Sequence, residues 1–401
     1  MNMANCGAKQ NTVLLVGGGI GGLAAALGLA QAGYEVDLFE QAADLGEIGA
    51  GIQLGPNAFT AMDALGCGPR ARARAVYTDA LIMLDALDES VVGKVPVGDS
   101  FREYFGNPYA VIHRADIHLS IYEETQVHQS IRIHTDARIV SVEVSAHGAC
   151  VRDHNGQEWN GAAVVGCDGL RSVVREALIG DTHVVSGHVV YRAVCPRDDF
   201  PEDLRWNAAA IWVGPNYHIV HYPLRAGEEY NIVITFHSRE QETWSVREGS
   251  QAELLSYFTE ISPKPRQLLE KANVWQRWAT ADREPTEKWG YGRATLLGDA
   301  AHPPLQYMAQ GACIALEDAV TLREALKNSD HDIESAFRLY EKARIPRTAR
   351  VQYSARLMGR LFHASGAERL VRNSLWKDRK PEDHYQALNW LYGWNVQTCL
   401  D

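Results

Sequence analysis

Between Thr12 and Glu40 the chain spells out a strand, a glycine-rich turn, a helix and a second strand, and that order constrains the fold more than any other feature. Thr12-Val-Leu-Leu-Val16 is a short apolar run suited to a buried parallel strand. Gly17-Gly-Gly-Ile-Gly-Gly22 follows at once. Leu23, Ala26, Leu27 and Ala30 then recur at helical spacing, and Gly33 closes the helix. Glu35-Val-Asp-Leu-Phe-Glu40 reads as the next strand. In such a βαβ unit each glycine of Gly17-x-Gly19-x-x-Gly22 has a physical task. Gly17 permits the tight turn, Gly19 admits a pyrophosphate close to the backbone, and Gly22 lets helix and strand pack closely, with the helix N-terminus facing the anion. Glu40, eighteen residues after Gly22, ends the second strand and can accept from ribose hydroxyls. Its carboxylate repels a 2′-phosphate, which favours FAD or NAD over NADP. A glycine turn without a ligand is the competing reading, and the strand, helix and acid all in place argue against it.

The same stretch could be mistaken for a membrane span or a signal sequence, because Gln10 to Tyr34 carries no charge. Six glycines within Val13–Ala30 and only Lys9 ahead of it argue instead for a buried strand, turn and helix. No membrane span is expected. The net charge of −11 without a basic block excludes nucleic acid as a partner. Cys6, Cys67, Cys150, Cys167, Cys195, Cys313 and Cys399 form no C-x-x-C pair, which suits reduced thiols in a cytoplasm. No close His/Asp/Glu set has ligand spacing, so no metal is expected. Gly66-Cys-Gly68-Pro69 follows a helix-like stretch and reads as a helix stop, leaving one dinucleotide fold.

Further along, Ile131 to Arg152 reads as β-hairpins, and Ala162-Ala-Val-Val-Gly166 as a buried strand. His188–Val194, Ala209–Val213, Tyr217–Tyr222 and Tyr230–Phe236 alternate between charged turns, as in an antiparallel sheet. Ala80–Leu87 and Val91–Val95 can add a hairpin to it. Gln251–Ala272 has helical periodicity, Ala294–Gly298 is strand-like, and Ala309–Lys327 and Ile333–Phe362 look helical.

Two more motifs place a carboxylate after a strand: Cys167-Asp168-Gly169 and Gly298-Asp299-Ala-Ala-His302-Pro303. With Gly17–Gly22, Glu40 and the Arg114 of His113-Arg114-Ala-Asp, they stand in the order seen in the single-component FAD-dependent aromatic hydroxylases, the group of 4-hydroxybenzoate and salicylate hydroxylases. The chain resembles that family over roughly residues 12–395. The resemblance implies an α/β fold: a Rossmann-like FAD-binding part from residues 1–185 and 283–330, an antiparallel substrate sheet over 186–282, and a C-terminal helical region over 331–401. It implies that Gly17, Gly19 and Gly22 hold the pyrophosphate, Glu40 the ribose, Arg114 the FAD, and Asp299 the ribityl chain. Asp168 belongs to a motif linked to FAD and NAD(P)H together, and Pro303 to Gly311 would lie beside the isoalloxazine. NADH is the implied reductant, with NADPH as the alternative, and the implied assembly is a homodimer or a monomer.

Pro303-Pro-Leu-Gln306-Tyr307, Gly214–Arg225, Pro108–Arg114 and Asp282–Pro285 resemble the 3-hydroxybenzoate 6-hydroxylase branch more than the salicylate hydroxylases. That branch uses O2 through a C4a-hydroperoxyflavin to hydroxylate a small aromatic acid para to its hydroxyl, giving gentisate. Salicylate 1-hydroxylase and 6-hydroxynicotinate 3-monooxygenase chemistry are the sibling alternatives, and a flavoprotein-fold binding protein is the non-enzymatic one. The resemblance makes His218 the general base and Gln306 its partner on the phenol, with Tyr109 and Tyr222 orienting the acid. Imidazole has the intrinsic pKa for this work. In the alternating run Tyr217–Tyr222, His218, Val220 and Tyr222 share one face and Tyr217, Ile219 and His221 the other. A hydrogen-bonded sheet histidine remains the alternative for His218, a loop position for Gln306, and core packing for Tyr109 and Tyr222. His302 reads as motif architecture, His113 is open, and Arg225 and Arg283 are either substrate cations or structural ion pairs.

Overall fold

The computed structural model describes residues 9–46, 49–272, 274–330 and 332–401; Cys6 lies outside them. The strand Lys9–Val16 is sandwiched in parallel between Glu35–Phe39 and Glu158–Gly166. Val13, Leu14 and Leu15 are buried on both faces, as the unbroken apolar run requires. The helix Ile20–Gln31 is buried along Leu23–Leu29, which accounts for its lack of charge. It packs on Gly311–Asn328 so closely that a Cβ at Gly28 would stand 2.6 Å from the Ala319 carbonyl oxygen. Among the described residues no helix is long and apolar enough to cross a membrane.

Two local expectations need correcting. Ile131–His134 is not part of a hairpin: it extends the sheet in parallel beside Glu35–Phe39, with Val36 opposite Ile131. A parallel neighbour needs a crossover connection, and the helix Arg114–Thr125 lies in it. Within that stretch the hairpin is Ile139–Ser145 with Gly148–Asp153, which then pairs antiparallel with Glu158–Gly166 as well. The helical stretch Gln251–Ala272 is two helices, Gln251–Tyr257 and Pro263–Glu270. Pro263 cannot continue a helix but can begin one, since its missing N–H is not needed in the first turn. Gly66 ends the helix Pro56–Leu65 at φ 89°, the helix stop read from the sequence.

Among the described residues the second sheet has eight strands, ordered Ser245–Gly249, Trp275–Asp282, Val184–Pro196, Glu229–His237, Tyr217–Leu224, Ala208–Gly214, Ala80–Asp85 and Val91–Pro96. The last two are the hairpin read from residues 80–95. One face carries Tyr191, Trp212, Ile219 and Ile234 into a core with Leu254 and Leu268 of the two short helices. The opposite face looks toward the glycine-rich turn. The two parts meet where Gly51 N–H donates to Asn231 Oδ1 at 2.8 Å. A Cβ at Gly51 would lie 2.5 Å from the Tyr222 ring, so only glycine allows this approach. The long helix Ile333–Phe362 then packs along Gly311–Asn328.

Candidate active site

A cavity of about 330 Å³ separates the glycine-rich turn from the second sheet. Gly19, Gly21, Arg114, Asp299 and Gly311 line one side, and Arg192, His218, Val220, Tyr222 and Val233 the other. Among the described residues, two helices with uncapped N-termini begin at its wall. Ile20–Gln31 starts after Gly19 and Gly311–Asn328 after Gln310, and neither has a capping side chain or an acid in its first turn. Their first N–H groups and positive dipole ends are therefore available to an anion. An elongated ligand with a pyrophosphate at one helix and an electron-accepting ring at the other fits this donor set.

The Asp299 loop is held from behind. Asp318, fully buried, accepts from Gly298 N–H at 3.1 Å, His302 Nε2 at 2.5 Å and Arg344 Nε at 2.6 Å. Burial works against the Asp318 carboxylate, but His302 and Arg344 overcome it and keep its pKa below the usual range. Arg175, also buried, donates to the carbonyls of Ala300 and Ala301. His302 thus braces the loop, as the reading of motif architecture expected.

On the sheet side, cross-strand pairing sets the geometry. Arg192, Val233 and Val220 stand opposite one another on three neighbouring strands, and His218 stands opposite Thr235. Gln306, on the short turn Gln306–Met308, reaches Thr235 Oγ1 at 3.4 Å and so lies beside His218. His218 Nδ1 is 2.8 Å from His363 Nε2, which leaves Nε2 for the cavity. Burial pulls the His218 pKa down to about 3, with His188 adding to the effect, so the ring is neutral. Tyr222 is buried, which raises its pKa, and Arg192 opposes the rise. Among the described residues Arg192 has no hydrogen-bond partner at its buried Nε, and it lies over the Trp278 ring at 5.5 Å. Burial lowers its pKa; the Tyr222 hydroxyl favours its charge and Arg114 opposes it.

A second cavity of about 290 Å³ adjoins the first and shares His218, Val220, Gln306, Gln53 and Ala309 with it. Its walls are largely apolar and include Met83, Tyr109, Met308, Phe362 and Tyr392. Tyr109 hydroxyl donates to Gln53 Oε1. The junction of the two spaces is therefore an apolar slot with polar groups at its rim.

A family model described as FAD binding domain matches residues 10–353. Over 388 residues the chain is 59% identical to a 3-hydroxybenzoate 6-hydroxylase of Polaromonas naphthalenivorans (strain CJ2), covering 97% of each. The chain belongs to the FAD-dependent aromatic hydroxylases. A 3-hydroxybenzoate 6-hydroxylase of Klebsiella oxytoca is 55% identical over 98% of this chain and 99% of that protein. The fold matches that of Klebsiella pneumoniae HpxO complexed with FAD and uric acid, with a TM-score of 0.84 at 23% identity, over 95% of this chain and 97% of that one. This hydroxylase is thus a flavin-dependent monooxygenase with FAD as its cofactor.

The cavity gathers some of the residues picked from sequence and not others. Gly19, Arg114, Asp299, Gly311, Tyr222, His218 and Gln306 line it, and Tyr109 lines the adjoining space. Gly17 (φ 106°) and Gly22 sit behind the turn: a Cβ at Gly22 would stand 1.9 Å from the Gly17 carbonyl oxygen. Glu40 accepts from Gly18 N–H and Ala42 N–H, both at 2.8 Å, and so shapes the turn itself. Asp168 accepts from Ser172 and from Val173 N–H at 2.7 Å, at the start of the helix Val173–Leu178. Gly169 lines the cavity where Asp168 does not, and Pro304 where Pro303 does not. Arg225 pairs with Asp116 and Glu229, and Arg283 with Asp181, so both are spent on ion pairs. His113 caps the helix that begins at Arg114.

Arg192, Gln53 and His363 escaped the sequence reading. Arg192 did leave a trace, as the one full charge in the apolar alternating run His188–Val194. His363 left none, since nothing in its neighbourhood sets it apart. Nor did spacing show that ring nitrogens of His188, His237 and His363 come within 4.8 Å of one another.

Proposed function

We propose that this hydroxylase converts 3-hydroxybenzoate to gentisate by oxygenating C6, para to the hydroxyl, with NADH and O2 as co-substrates. The observation that carries the reading is His218, a neutral imidazole whose Nδ1 is engaged by His363 and whose Nε2 is left for the slot beside Gln306. When bound, FAD takes reducing equivalents from the nicotinamide and delivers one oxygen atom to the ring. The protein's own part is to bind the ring, free its phenol oxygen of a proton and keep water out.

A para relationship places the hydroxyl and the reacting carbon at opposite ends of the ring. The hydroxyl therefore points to His218 and Gln306 while C6 faces the cofactor cavity. His218 and Tyr222 are four residues apart on an extended strand, about 13 Å, with Val220 as the floor between them. That span suits an aromatic acid with a hydrogen bond at each end. Tyr222 and Arg192 then meet the carboxylate, and Tyr109 packs against the ring from the adjoining side. His218 donates Nδ1–H to His363 Nε2 and accepts the phenol proton on Nε2; Gln306 donates to the phenolate oxygen. The new phenolate stabilises the imidazolium beside it, offsetting the cost of burying that charge.

Gly17, Gly19, Gly22, Glu40, Arg114, Asp168, Asp299, Pro303 and Gly311 form the FAD-binding set in this reading, with the residues behind the turn acting by shaping it. Residues 1–185 with 283–330 serve FAD, 186–282 serve the substrate with help from the strands of 80–96, and 331–401 close the structure. Among the described residues Cys67, Cys167, Cys195, Cys313 and Cys399 are free thiols, which suits a reducing cytoplasm. The working assembly is a monomer or a homodimer, which sedimentation separates. The deciding experiment is NMR identification of the product from FAD-loaded protein, NADH, air and 3-hydroxybenzoate. Gentisate is expected. A 3,4-diol would reverse the ring orientation, and unchanged acid would remove the substrate assignment.

A further inference from the structure

Beyond Nδ1 of His218 three more imidazoles converge. His188 and His237 are direct cross-strand partners, with ring centroids 4.1 Å apart. His363 directly follows the helix Ile333–Phe362. Its carbonyl accepts from Asn216 N–H at 3.0 Å, and the Asn216 carbonyl accepts from His237 N–H at 3.0 Å, so the backbone ties the helix end to the sheet. The nitrogens are already sorted by their partners. His363 gives Nε2 to His218, while its buried Nδ1 has no partner among the described residues. His188 gives Nδ1 to the Tyr307 hydroxyl at 2.6 Å, leaving Nε2. The third, His237, is exposed.

We propose that His363 Nδ1, His188 Nε2 and a ring nitrogen of His237 form a binding site for one divalent transition-metal ion, zinc-like in its preferences, and that filling it silences His218. One ring nitrogen from each of the three histidines lies within 4.8 Å of the other two. Bonds of about 2.0–2.1 Å to nitrogen require them to close further, and the exposed His237 side chain has the freedom to do so. Three imidazoles without a carboxylate suit Zn2+, Co2+, Ni2+ or Cu2+ and not Mg2+ or Ca2+. A water completes a tetrahedron on the open side. The outer partners fit as well, because a ligating histidine holds its orientation by donating its other N–H. Tyr307 can receive that N–H from His188, and His218 can receive it from His363.

The consequence for His218 is a matter of where protons sit. A metal on His363 Nδ1 leaves the proton of that ring on Nε2, which must then donate to His218 Nδ1. His218 then carries its own single proton on Nε2, the atom left for the slot, and has no lone pair there for the phenol. FAD is untouched. This coupling rests on the base role of His218 proposed above, whereas the metal site itself does not.

The test uses FAD-loaded, chelator-washed protein. Co2+ should bind at one ion per chain, with a tetrahedral ligand-field band to the red of the flavin absorption that Zn2+ bleaches. His237→Ala, which changes an exposed side chain, should keep its FAD and lose the band. Saturating Zn2+ should slow hydroxylation of 3-hydroxybenzoate at least tenfold in the parent protein and less than twofold in His237→Ala. Absence of the band, or a band unchanged in His237→Ala, overturns the site. A filled site with turnover within twofold of the metal-free rate overturns the coupling. His218→Ala then locates the fault: parental turnover in that variant points to the base assignment, and slow turnover points to the His363 link.

Discussion

Gly22→Ala tests whether the close packing behind the glycine-rich turn is what makes a dinucleotide site. The added Cβ would stand 1.9 Å from the carbonyl oxygen of Gly17 and 3.0 Å from its carbonyl carbon. Real Cβ atoms do not come closer than 3.0 Å, so the shortfall is 1.1 Å. The offending atom is backbone oxygen and cannot swing aside as a side chain would. Either the helix Ile20–Gln31 retreats or the turn at Gly17 opens, and both move the N–H groups that face the cavity. Overpacking of this kind costs about 1–3 kcal/mol, and each 1.4 kcal/mol is about a factor of ten in affinity. If the strain falls on the turn, FAD binding should weaken roughly ten- to hundredfold. Titration of deflavinated protein with FAD, followed by flavin fluorescence, measures it. Gly98→Ala, where a Cβ meets nothing within 4 Å, is the control and should bind as the parent does. An FAD affinity within twofold of parental in Gly22→Ala would refute the packing argument.

Three other perturbations separate the site's parts. His218→Ala should cut coupled hydroxylation by about 10²–10⁴, the usual worth of general acid–base catalysis, with FAD binding unchanged; turnover within about threefold of parental would end the base role. Arg192→Gln should raise KM for the aromatic acid roughly 10- to 100-fold, since a hydrogen bond to a charged group is worth about 1.5–3 kcal/mol, and steady-state kinetics with FAD saturating would show an unchanged KM if Arg192 does not meet the carboxylate. Asp85, buried at the end of the strand Ala80–Asp85, accepts from Arg369, Arg372 and Asn373 of the helix Gly366–Leu375. Burial alone would raise its pKa, but Arg369, Asn373 and the Leu87 N–H overcome it and hold it below the usual value. Its stabilisation is therefore complete above the ordinary carboxylate pKa of about 4 and lost as pH falls through the lower folded value. Asp85→Asn should cost about 3 kcal/mol at pH 7 and flatten the acid limb of stability against pH; chemical denaturation at several pH values reads both.

Local chemistry sufficed for much of this protein. The βαβ start was legible because a strand, a turn and a helix are written in contiguous residues, and each glycine answers a constraint within the same unit. The shared face of His218, Val220 and Tyr222 was legible because strand periodicity alone sets it, and their place in one cavity wall follows. Parallel pairing was not legible at Ile131–His134, where alternation looks the same whichever neighbour the strand finds. Asp168 shows the same limit at a single side chain: its position after a strand was plain, but its hydrogen bonds go to a helix start four to six residues on.

The sequence by itself determined the dinucleotide-binding unit, the flavin-enzyme motifs and the face on which His218 sits. Tertiary structure alone decided which partners those residues have. Gln306 reaches Thr235, His363 reaches His218, and Asn231 reaches Gly51 across 71, 145 and 180 residues respectively. The arginines sorted in the same way, Arg225 and Arg283 to carboxylates and Arg192 to an open cavity. Side-chain periodicity is a property of one segment, whereas a hydrogen bond between distant segments depends on how whole sheets and helices pack, and that information is spread over the entire chain.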